Sequence, residues 1–206
     1  GGGLSKRLGS ASIKSYREDD GLEAMSILSL LSKMGSSDPI EPFTSVEPLI
    51  EGFEFSKFSR ATAKFDPNDL EILNAKILHV TDFDAVKDRL PEGVSEAIWN
   101  VARANIKHLD DVSEWLTIIN GLITPLIEDA DFIAKAEALL PSGNWDETTW
   151  KAWTTAVKEE TGAKGRGLFM PLRQAVTGLD HGPDMGSLLP LIGEQRVRAR
   201  LNGQQA

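Results

Sequence analysis

Apolar residues recur along most of this chain at the three- and four-residue intervals of an α-helix. Leu22, Met25, Leu28 and Leu31 form one such series, and Gly35 follows as a helix stop. No alternating run is long enough to predict an extended strand. We therefore predict a mainly α fold, with at most a small strand pair near the N-terminus. Later helices are predicted near residues 83–90, 94–108, 111–128 and 131–140. Four more helices are predicted from apolar residues that share a face: Trp150, Trp153 and Val157; Phe169, Leu172, Ala175 and Val176; Met185, Leu188, Leu189 and Ile192; and Val197 and Leu201.

Turn and capping residues predict where several of these helices begin and end. Asp66–Pro67 is a cap followed by proline in the first turn, so a helix is expected from there through Val80. Asn144–Glu147 has the spacing of a capping box, and Gly178 is placed to end a helix. Residues 40–65 have no clear period and are broken by proline and glycine, which indicates a connector between two regions.

Composition excludes several classes of protein. The 206 residues are 41% hydrophobic and 26% charged, which is typical of a globular protein with a buried core. The chain has no cysteine, which excludes disulfides and thiolate metal sites and fits a reducing, cytoplasmic setting. Its three histidines lie far apart in the sequence and make no metal-ligand motif. No apolar run reaches the roughly 18 residues that a membrane-spanning helix needs.

The net charge of −9 argues against a general nucleic-acid binder, but positive charge is concentrated locally. Residues 164–173 hold three basic side chains and no acidic one. They would form either a phosphate-contacting surface or the solvated start of a helix. A second group, at residues 196–200, is better explained by the negative end of a helix dipole. The basic residues of the two groups are Lys164, Arg166 and Arg173, and Arg196, Arg198 and Arg200.

Three further motifs have both a chemical and a structural interpretation. The Gly-rich start, residues 1–7, lacks the Gly-Lys-Ser/Thr order of a phosphate loop, although a flexible loop carrying cations could close over a triphosphate. The five tryptophans could stack on bases, but their helical spacing favours core packing. Asp180–His181 could be taken for a catalytic pair, but Pro183 close behind favours a turn before a helix, with Pro183 in the first turn of that helix.

Several blocks, in this order, resemble bacterial glutamyl-tRNA synthetases downstream of their catalytic domain. Leu4–Arg7 is similar to the second signature loop of class I aminoacyl-tRNA synthetases, although Gly3 replaces its first lysine. The most specific block is Lys164–Arg173, which is followed by Thr177–Gly178 and Gly182–Pro183. The resemblance extends over essentially all of the chain. Other blocks that carry it are Ser15–Glu18, Ala24–Leu31, Phe65–Pro67, Leu73–Lys76, Asn144–Trp145, Leu189–Gly193 and Arg196.

The resemblance implies a division of the chain into four parts. Residues 1–9 would be the remnant of the signature loop, with Ser5, Lys6 and Arg7 binding ATP. Residues 10–60 would be a small connecting domain of α/β-like character that contacts the tRNA stem. Two all-helical anticodon-binding subdomains would follow at residues 61–135 and 136–206. The residues implied to bind tRNA there are Gly182, Pro183, Met185, Arg103, Asn105, Lys107, Lys164 and Arg166.

The implied function is the tRNA-binding, anticodon-recognising part of glutamate–tRNA ligase. That enzyme attaches glutamate to tRNA-Glu through glutamyl-adenylate, with ATP and Mg²⁺ as cofactors. Because this chain lacks the catalytic domain, we expect it to be inactive in isolation, to need no cofactor itself and to be a cytoplasmic monomer. The alternatives are a helical protein-interaction module and a paralogue with an altered tRNA partner. A shallow salt dependence of RNA binding is expected, because few phosphates would be neutralised.

Overall fold

Twelve α-helices account for most of the computed structural model, which describes residues 12–61 and 63–206. The predicted mainly α fold is confirmed. Within these residues the only β pairing is one isolated antiparallel bridge, between Ser36 and Phe58, so the small strand pair shrinks to a single contact. The helices are α1 Ile13–Glu18, α2 Ala24–Lys33, α3 Glu47–Glu51, α4 Pro67–Val80, α5 Phe83–Val86, α6 Glu96–Ala102, α7 Val112–Asn120, α8 Ala130–Ala138, α9 Thr149–Thr161, α10 Arg166–Thr177, α11 Met185–Ile192 and α12 Glu194–Leu201.

The chain divides into two compact units. The first comprises the described residues up to Leu90 together with Ile106–Asp111, and the second comprises Pro91–Asn105 and Val112–Ala206. The short segment Ile106–Asp111 therefore belongs to the first unit, although helices of the second unit lie on both sides of it in sequence.

In the first unit α2 packs against α4. Asp66 caps α4 as predicted, because its side chain accepts a hydrogen bond from the Asn68 amide and Pro67 occupies the first turn. The fully buried Asn74 links three segments of this unit. Its Oδ1 accepts from the Glu23 amide at 2.7 Å, and its Nδ2 donates to the Lys107 carbonyl at 2.7 Å. The apolar core of this packing is Leu22, Ile27, Leu30, Leu70, Leu73 and Ile77.

The second unit is built around tryptophans. Trp99, Trp115 and Trp153 are each no more than 2% exposed, so the core interpretation is confirmed for these three. Trp153 also donates from Nε1 to the Ala136 carbonyl at 2.8 Å, which satisfies the polar edge of its buried indole. Large aromatic side chains supply much of the buried apolar area that stabilises this unit.

Two predicted helices end earlier than expected. The helix predicted over residues 111–128 stops at Asn120, because the following backbone amides bond outside a helix. Leu126 donates to the Gln174 carbonyl and Ile123 to the Ala206 carbonyl. The helix predicted over 94–108 is α6, which tightens into a 3₁₀ turn at Arg103–Asn105 and then ends.

The capping box predicted at Asn144–Glu147 is wrong. Helix α9 begins only at Thr149, and the capping contacts involve Asp146 instead. Its Oδ1 accepts from the Thr148 amide at 2.8 Å, and its own amide donates to Thr149 Oγ1 at 3.0 Å. Asp146 therefore forms a local turn with the amide two residues on, and such side chain–backbone bonds compete with a capping box for the same residues.

Candidate nucleic-acid interface

The loop between α10 and α11 is fixed at both ends by capping residues. Gly178 ends α10 in the left-handed conformation, as predicted. Asp184 begins α11 by accepting a hydrogen bond from the Ser187 amide at 3.2 Å. Pro183 therefore precedes the cap of α11, and the prediction that it lies in the first turn is wrong. Two capped ends hold the intervening residues in one conformation.

Gly182 lies directly against an indole ring. A Cβ added at Gly182 would be 2.3 Å from Trp115 Cη2 and 2.9 Å from Cζ3, distances that no real side chain reaches. The φ angle of +127° is also one that other residues rarely adopt. Glycine is therefore required here on two grounds, and the close approach brings the loop backbone onto the buried Trp115.

Arg173 lies beneath the same loop and is only partly satisfied. Its Nη2 donates to the Pro183 carbonyl at 2.8 Å, while its buried Nη1 has no hydrogen-bond partner among the described residues. Burial lowers the pKa of Arg173, and the nearby Asp184 carboxylate opposes that shift. An arginine stays charged under these conditions, so the loop has a positive charge under it, although the Nη1 group itself is enclosed by protein.

One face of α10 combines positive charge with an exposed aromatic ring. Arg166, Phe169 and Arg173 recur at three- and four-residue intervals, so they project from the same side of the helix. Phe169 is 46% exposed, and the prediction that it belongs to the core is wrong. Leu168 is buried instead, at 2% exposure. Phe169 was missed as a candidate contact because its spacing placed it on the apolar face of the helix, whereas Arg173 was considered either as a phosphate contact or as part of an internal structural pair, and it does bond internally to the Pro183 carbonyl.

The residues at the tip of the loop are charged and exposed. His181 Nδ1 lies 2.8 Å from Asp180 Oδ1, with both side chains more than half exposed. The hydrogen bond with His181 lowers the pKa of Asp180, and the positive charge of Arg166 contributes to the same shift. Arg166 is therefore close enough to act on the loop electrostatically. The structure thus brings together Arg166, Arg173 and residues 180–184.

Two of the predicted contacts are buried. Met185 is 2% exposed, and Pro183 is buried as well. Met185 is buried in the first turn of α11, directly after the loop. Gly182, by contrast, is half-buried, and its backbone borders the exposed loop tip. Main-chain groups of this loop, rather than the Met185 side chain, are therefore the groups accessible to a ligand.

The other predicted contacts lie in separate segments. Lys164 is exposed just before α10, whose first turn contains no acidic residue. Arg103 and Asn105 share one 3₁₀ turn of the second unit, with Asn105 exposed. Lys107 belongs to the first unit, where its carbonyl accepts from Asn74 and its amide donates to Asp111 Oδ2 at 2.8 Å. The side chain of Lys107 is exposed, and these two hydrogen bonds hold its backbone in place.

The second basic group serves the fold. Arg200 is completely buried and donates to the carbonyls of Ala206, Val176 and Gly121 at 2.7, 2.9 and 3.3 Å. Burial, together with the nearby Arg196, lowers the pKa of Arg200 to about 10. The sequence suggested only a favourable interaction of Arg200 with a helix dipole. The structure shows a more specific role, because the guanidinium bonds to three separate chain segments.

The neighbouring arginines are also engaged. Arg198 binds Glu137 Oε1 at 2.6 Å and Glu194 Oε1 at 2.9 Å, and these bonds raise its pKa. Arg196 donates to the Asn120 carbonyl at 3.0 Å. Arg198 and Arg200 are therefore engaged within the fold, and Arg196 is attached to it by one bond.

The predicted ATP-loop residues Ser5, Lys6 and Arg7 lie outside the described residues. Among the residues that are described, no group of three or more His, Cys, Asp or Glu side chains could hold a metal ion. In that same part of the chain, no helix is long and apolar enough to cross a membrane.

Residues 96–204 match the model of a protein family described as "Anticodon binding domain". That range contains Trp115, α10, the loop and α11, and it covers more than half of the chain. The chain belongs to the anticodon-binding domain family. The positive face of α10 and the constrained loop beside it lie within the matched range.

Curated relatives of this anticodon-binding chain are ligases about twice its length. Glutamate–tRNA ligase 1 of Maricaulis maris is 46% identical over 100% of this chain, which corresponds to 47% of the relative. Glutamate–tRNA ligase 2 of Methylorubrum populi is likewise 46% identical, with the same two coverages. The chain thus spans about half the length of the curated relatives it matches.

Solved structures support the fold. The crystal structure of a glutamate–tRNA ligase from Elizabethkingia meningosepticum, in complex with its amino acid, superposes with a TM-score of 0.72 at 20% identity. The superposition covers 98% of this chain and 48% of the Elizabethkingia meningosepticum chain. The glutamate–tRNA synthetase from Elizabethkingia anophelis gives a TM-score of 0.70 at 19% identity, over 97% of this chain and 43% of that one.

Proposed function

We propose that this chain is the tRNA-binding part of a glutamate–tRNA ligase and that it reads the anticodon of tRNA-Glu. The observation that carries the proposal is the family match over residues 96–204, because that range includes a glycine-constrained loop with a partly unpaired arginine beneath it. The complete cytoplasmic enzyme would attach glutamate through glutamyl-adenylate, with ATP and Mg²⁺ bound by its other half and by Ser5, Lys6 and Arg7.

The chemistry of the loop suits unstacked bases. Bases of a single-stranded RNA loop are splayed out and recognised through their hydrogen-bonding edges and flat faces. The loop offers the backbone of the half-buried Gly182 and the exposed polar side chains of Asp180 and His181, and Arg173 beneath it supplies positive charge. Phe169 presents an exposed ring on the same side of α10 as Arg166 and Arg173. A base could stack on the ring while its edge bonds to the loop.

Phosphate contacts would come from a small number of cations. Lys164 and Arg166 are exposed at the start of α10, where the positive end of the helix dipole reinforces their charge. Arg103, Asn105 and Lys107 would extend the contact to further nucleotides. With about three phosphates neutralised, the slope of log affinity against log salt is expected to be only about −2. Met185 would act indirectly, by supporting the loop.

The test compares binding of the chain to a tRNA-Glu transcript and to the same transcript with its anticodon replaced. We expect affinity to fall tenfold or more with the replaced anticodon, which corresponds to about 1.4 kcal/mol. Equal binding to both, with a steep salt dependence, would overturn anticodon reading and leave only charge contact. Binding to neither would favour a helical interaction module or a paralogue with a different tRNA partner, and sedimentation would check the expected monomer.

A further inference from the structure

Helix α4 of the first unit holds the short segment Ile106–Asp111, which follows α6 and precedes α7 in the sequence. Three consecutive residues of this segment each contact a different side chain of α4. The three pairs are the Ile106 carbonyl oxygen with His79 Nε2 at 3.2 Å, the Lys107 carbonyl oxygen with Asn74 Nδ2 at 2.7 Å, and His108 Nε2 with Glu71 Oε2 at 3.3 Å. Helix α4 therefore fixes the main chain at Lys107 and on both sides of it.

Asn74 makes the shortest and most deeply buried of these contacts. It is completely buried, and it bonds to two main-chain groups of opposite character. Its Oδ1 accepts from the Glu23 amide, and its Nδ2 donates to the Lys107 carbonyl. An aspartate would lack the donor and a leucine would lack both groups, so among side chains of this size only a carboxamide bonds to both partners.

The Lys107 side chain is free to bind a ligand. Ile106 before it is 1% exposed, whereas Lys107 itself is exposed. No described residue forms an ion pair with the Lys107 ammonium group. The amides of Lys107 and His108 both donate to Asp111 Oδ2, at 2.8 and 2.9 Å, which closes the segment into a turn. A cation on a turn that is already ordered loses less conformational freedom when it binds a phosphate.

We propose that Asn74 is a positioning residue for tRNA binding, because it fixes the main chain at Lys107 so that the Lys107 ammonium group meets a phosphate of the RNA backbone. The inference rests on the proposed function, in which Lys107 contacts tRNA. Asn74 acts through Lys107 and does not touch RNA, since it is completely buried. A phosphate contact carries no sequence information, so the effect is the same for tRNA-Glu and for the transcript with a replaced anticodon.

The test is a double-mutant cycle of Asn74→Ala and Lys107→Gln, with tRNA binding measured at several salt concentrations. We expect Lys107→Gln to make the salt slope shallower by about 0.7 and to weaken binding about fourfold at about 0.15 M salt, as the loss of one phosphate contact requires. Asn74→Ala removes no charge, yet it should cause the same loss of slope. The double variant should bind no more weakly than Lys107→Gln alone.

Ser26→Ala is the matched control. It also removes a bond made by a completely buried polar side chain of the first unit, the 2.6 Å bond to the Glu23 carbonyl, but Ser26 makes no bond to Ile106–Asp111. We expect it to lower the unfolding temperature and to leave the salt slope unchanged. If Asn74→Ala does not fold, His79→Leu replaces it, because it removes only the contact with the Ile106 oxygen from a half-buried position and should cause a smaller loss in the same direction.

Amide hydrogen exchange provides a measurement that needs no RNA. Asn74→Ala should speed exchange of the Lys107 and His108 amides about tenfold more than Ser26→Ala does. Unchanged exchange would overturn the positioning role, whatever the chain binds. If exchange speeds up but the binding losses of Asn74→Ala and Lys107→Gln simply add, Asn74 is only structural and the proposal is wrong.

The binding measurements separate this inference from the proposed function. If Lys107→Gln leaves binding unchanged while the chain still discriminates between anticodons, the positioning proposal fails and the proposed function stands. If the unmodified chain binds neither transcript, the proposed function fails, and the role of Asn74 in tRNA binding fails with it.

Discussion

Two arginine-containing segments of this chain are both rich in basic residues, but their side chains differ in burial and in hydrogen bonding. In residues 164–173 the cations Lys164 and Arg166 are exposed, and Arg173 keeps one N–H without a partner in the described structure. In residues 196–200 every arginine is bound to carbonyls or carboxylates of its own unit. Positive charge in a sequence therefore indicates a binding surface only where the fold leaves its hydrogen-bonding capacity unused.

The largest effect should come from the buried arginine of the second segment. Arg200→Met leaves three carbonyls without their donor, and we expect a loss of about 3 kcal/mol in the free energy of unfolding. Urea unfolding measures this loss. Arg196→Met is the matched control, because it removes a single bond at an exposed position and should cost less than about 1 kcal/mol. Equal losses in the two variants would refute the structural role of Arg200.

The next effect concerns the glycine that holds the loop of the first segment in place. Gly182→Ala forces a methyl group into Trp115, and we expect it to cost about 2 kcal/mol and to reduce anticodon discrimination. Gly143→Ala is the control, since Gly143 has a similar φ of +105° but no neighbour within 4 Å of an added Cβ. Both variants are measured by thermal unfolding and tRNA binding. If Gly143→Ala has as large an effect, backbone strain and not the Trp115 contact is responsible.

A smaller effect is expected from the exposed cations. Lys164→Glu combined with Arg166→Glu should weaken tRNA-Glu binding about tenfold, or about 1.4 kcal/mol, without changing the unfolding temperature. Lys151→Glu combined with Lys158→Glu makes the same total charge change at two exposed positions of α9 and should have little effect. Filter binding at several salt concentrations measures both double variants. A matching loss in the α9 double variant would mean that only net charge matters.

The smallest effect is expected at the loop tip. Asp180→Asn removes a negative charge near Arg166, so tRNA affinity should increase, by no more than about threefold. The pKa of Asp180 is lowered by His181 and then by Arg166, so any stability it contributes is present above the ordinary value of 3.8 and is lost only as the pH falls through the lowered pKa. Asp180 is therefore ionised at the near-neutral pH of a binding measurement, so the substitution does remove a negative charge there. A loss of affinity in Asp180→Asn would indicate that the carboxylate itself contacts the RNA.

Local signals in the sequence determined much of the helical structure. Asp66–Pro67 and Gly178 act over only a few residues, so their capping roles were predictable. The apolar series Met185, Leu188, Leu189 and Ile192 is completely buried, as its spacing indicated. Several blocks in the right order along essentially the whole chain, the most specific being Lys164–Arg173, indicated the family, because the order of motifs can be read without knowing where they lie in space.

Only the tertiary structure decided which of the remaining residues are available for binding. Phe169 has the spacing of a core residue but is exposed, and Arg200 is of a residue type usually found at the surface but is completely buried. The requirement for glycine at position 182 depends on Trp115, which lies far from it in sequence. Burial and hydrogen-bond satisfaction depend on contacts between distant segments, whereas helical periodicity reports only which residues share a face.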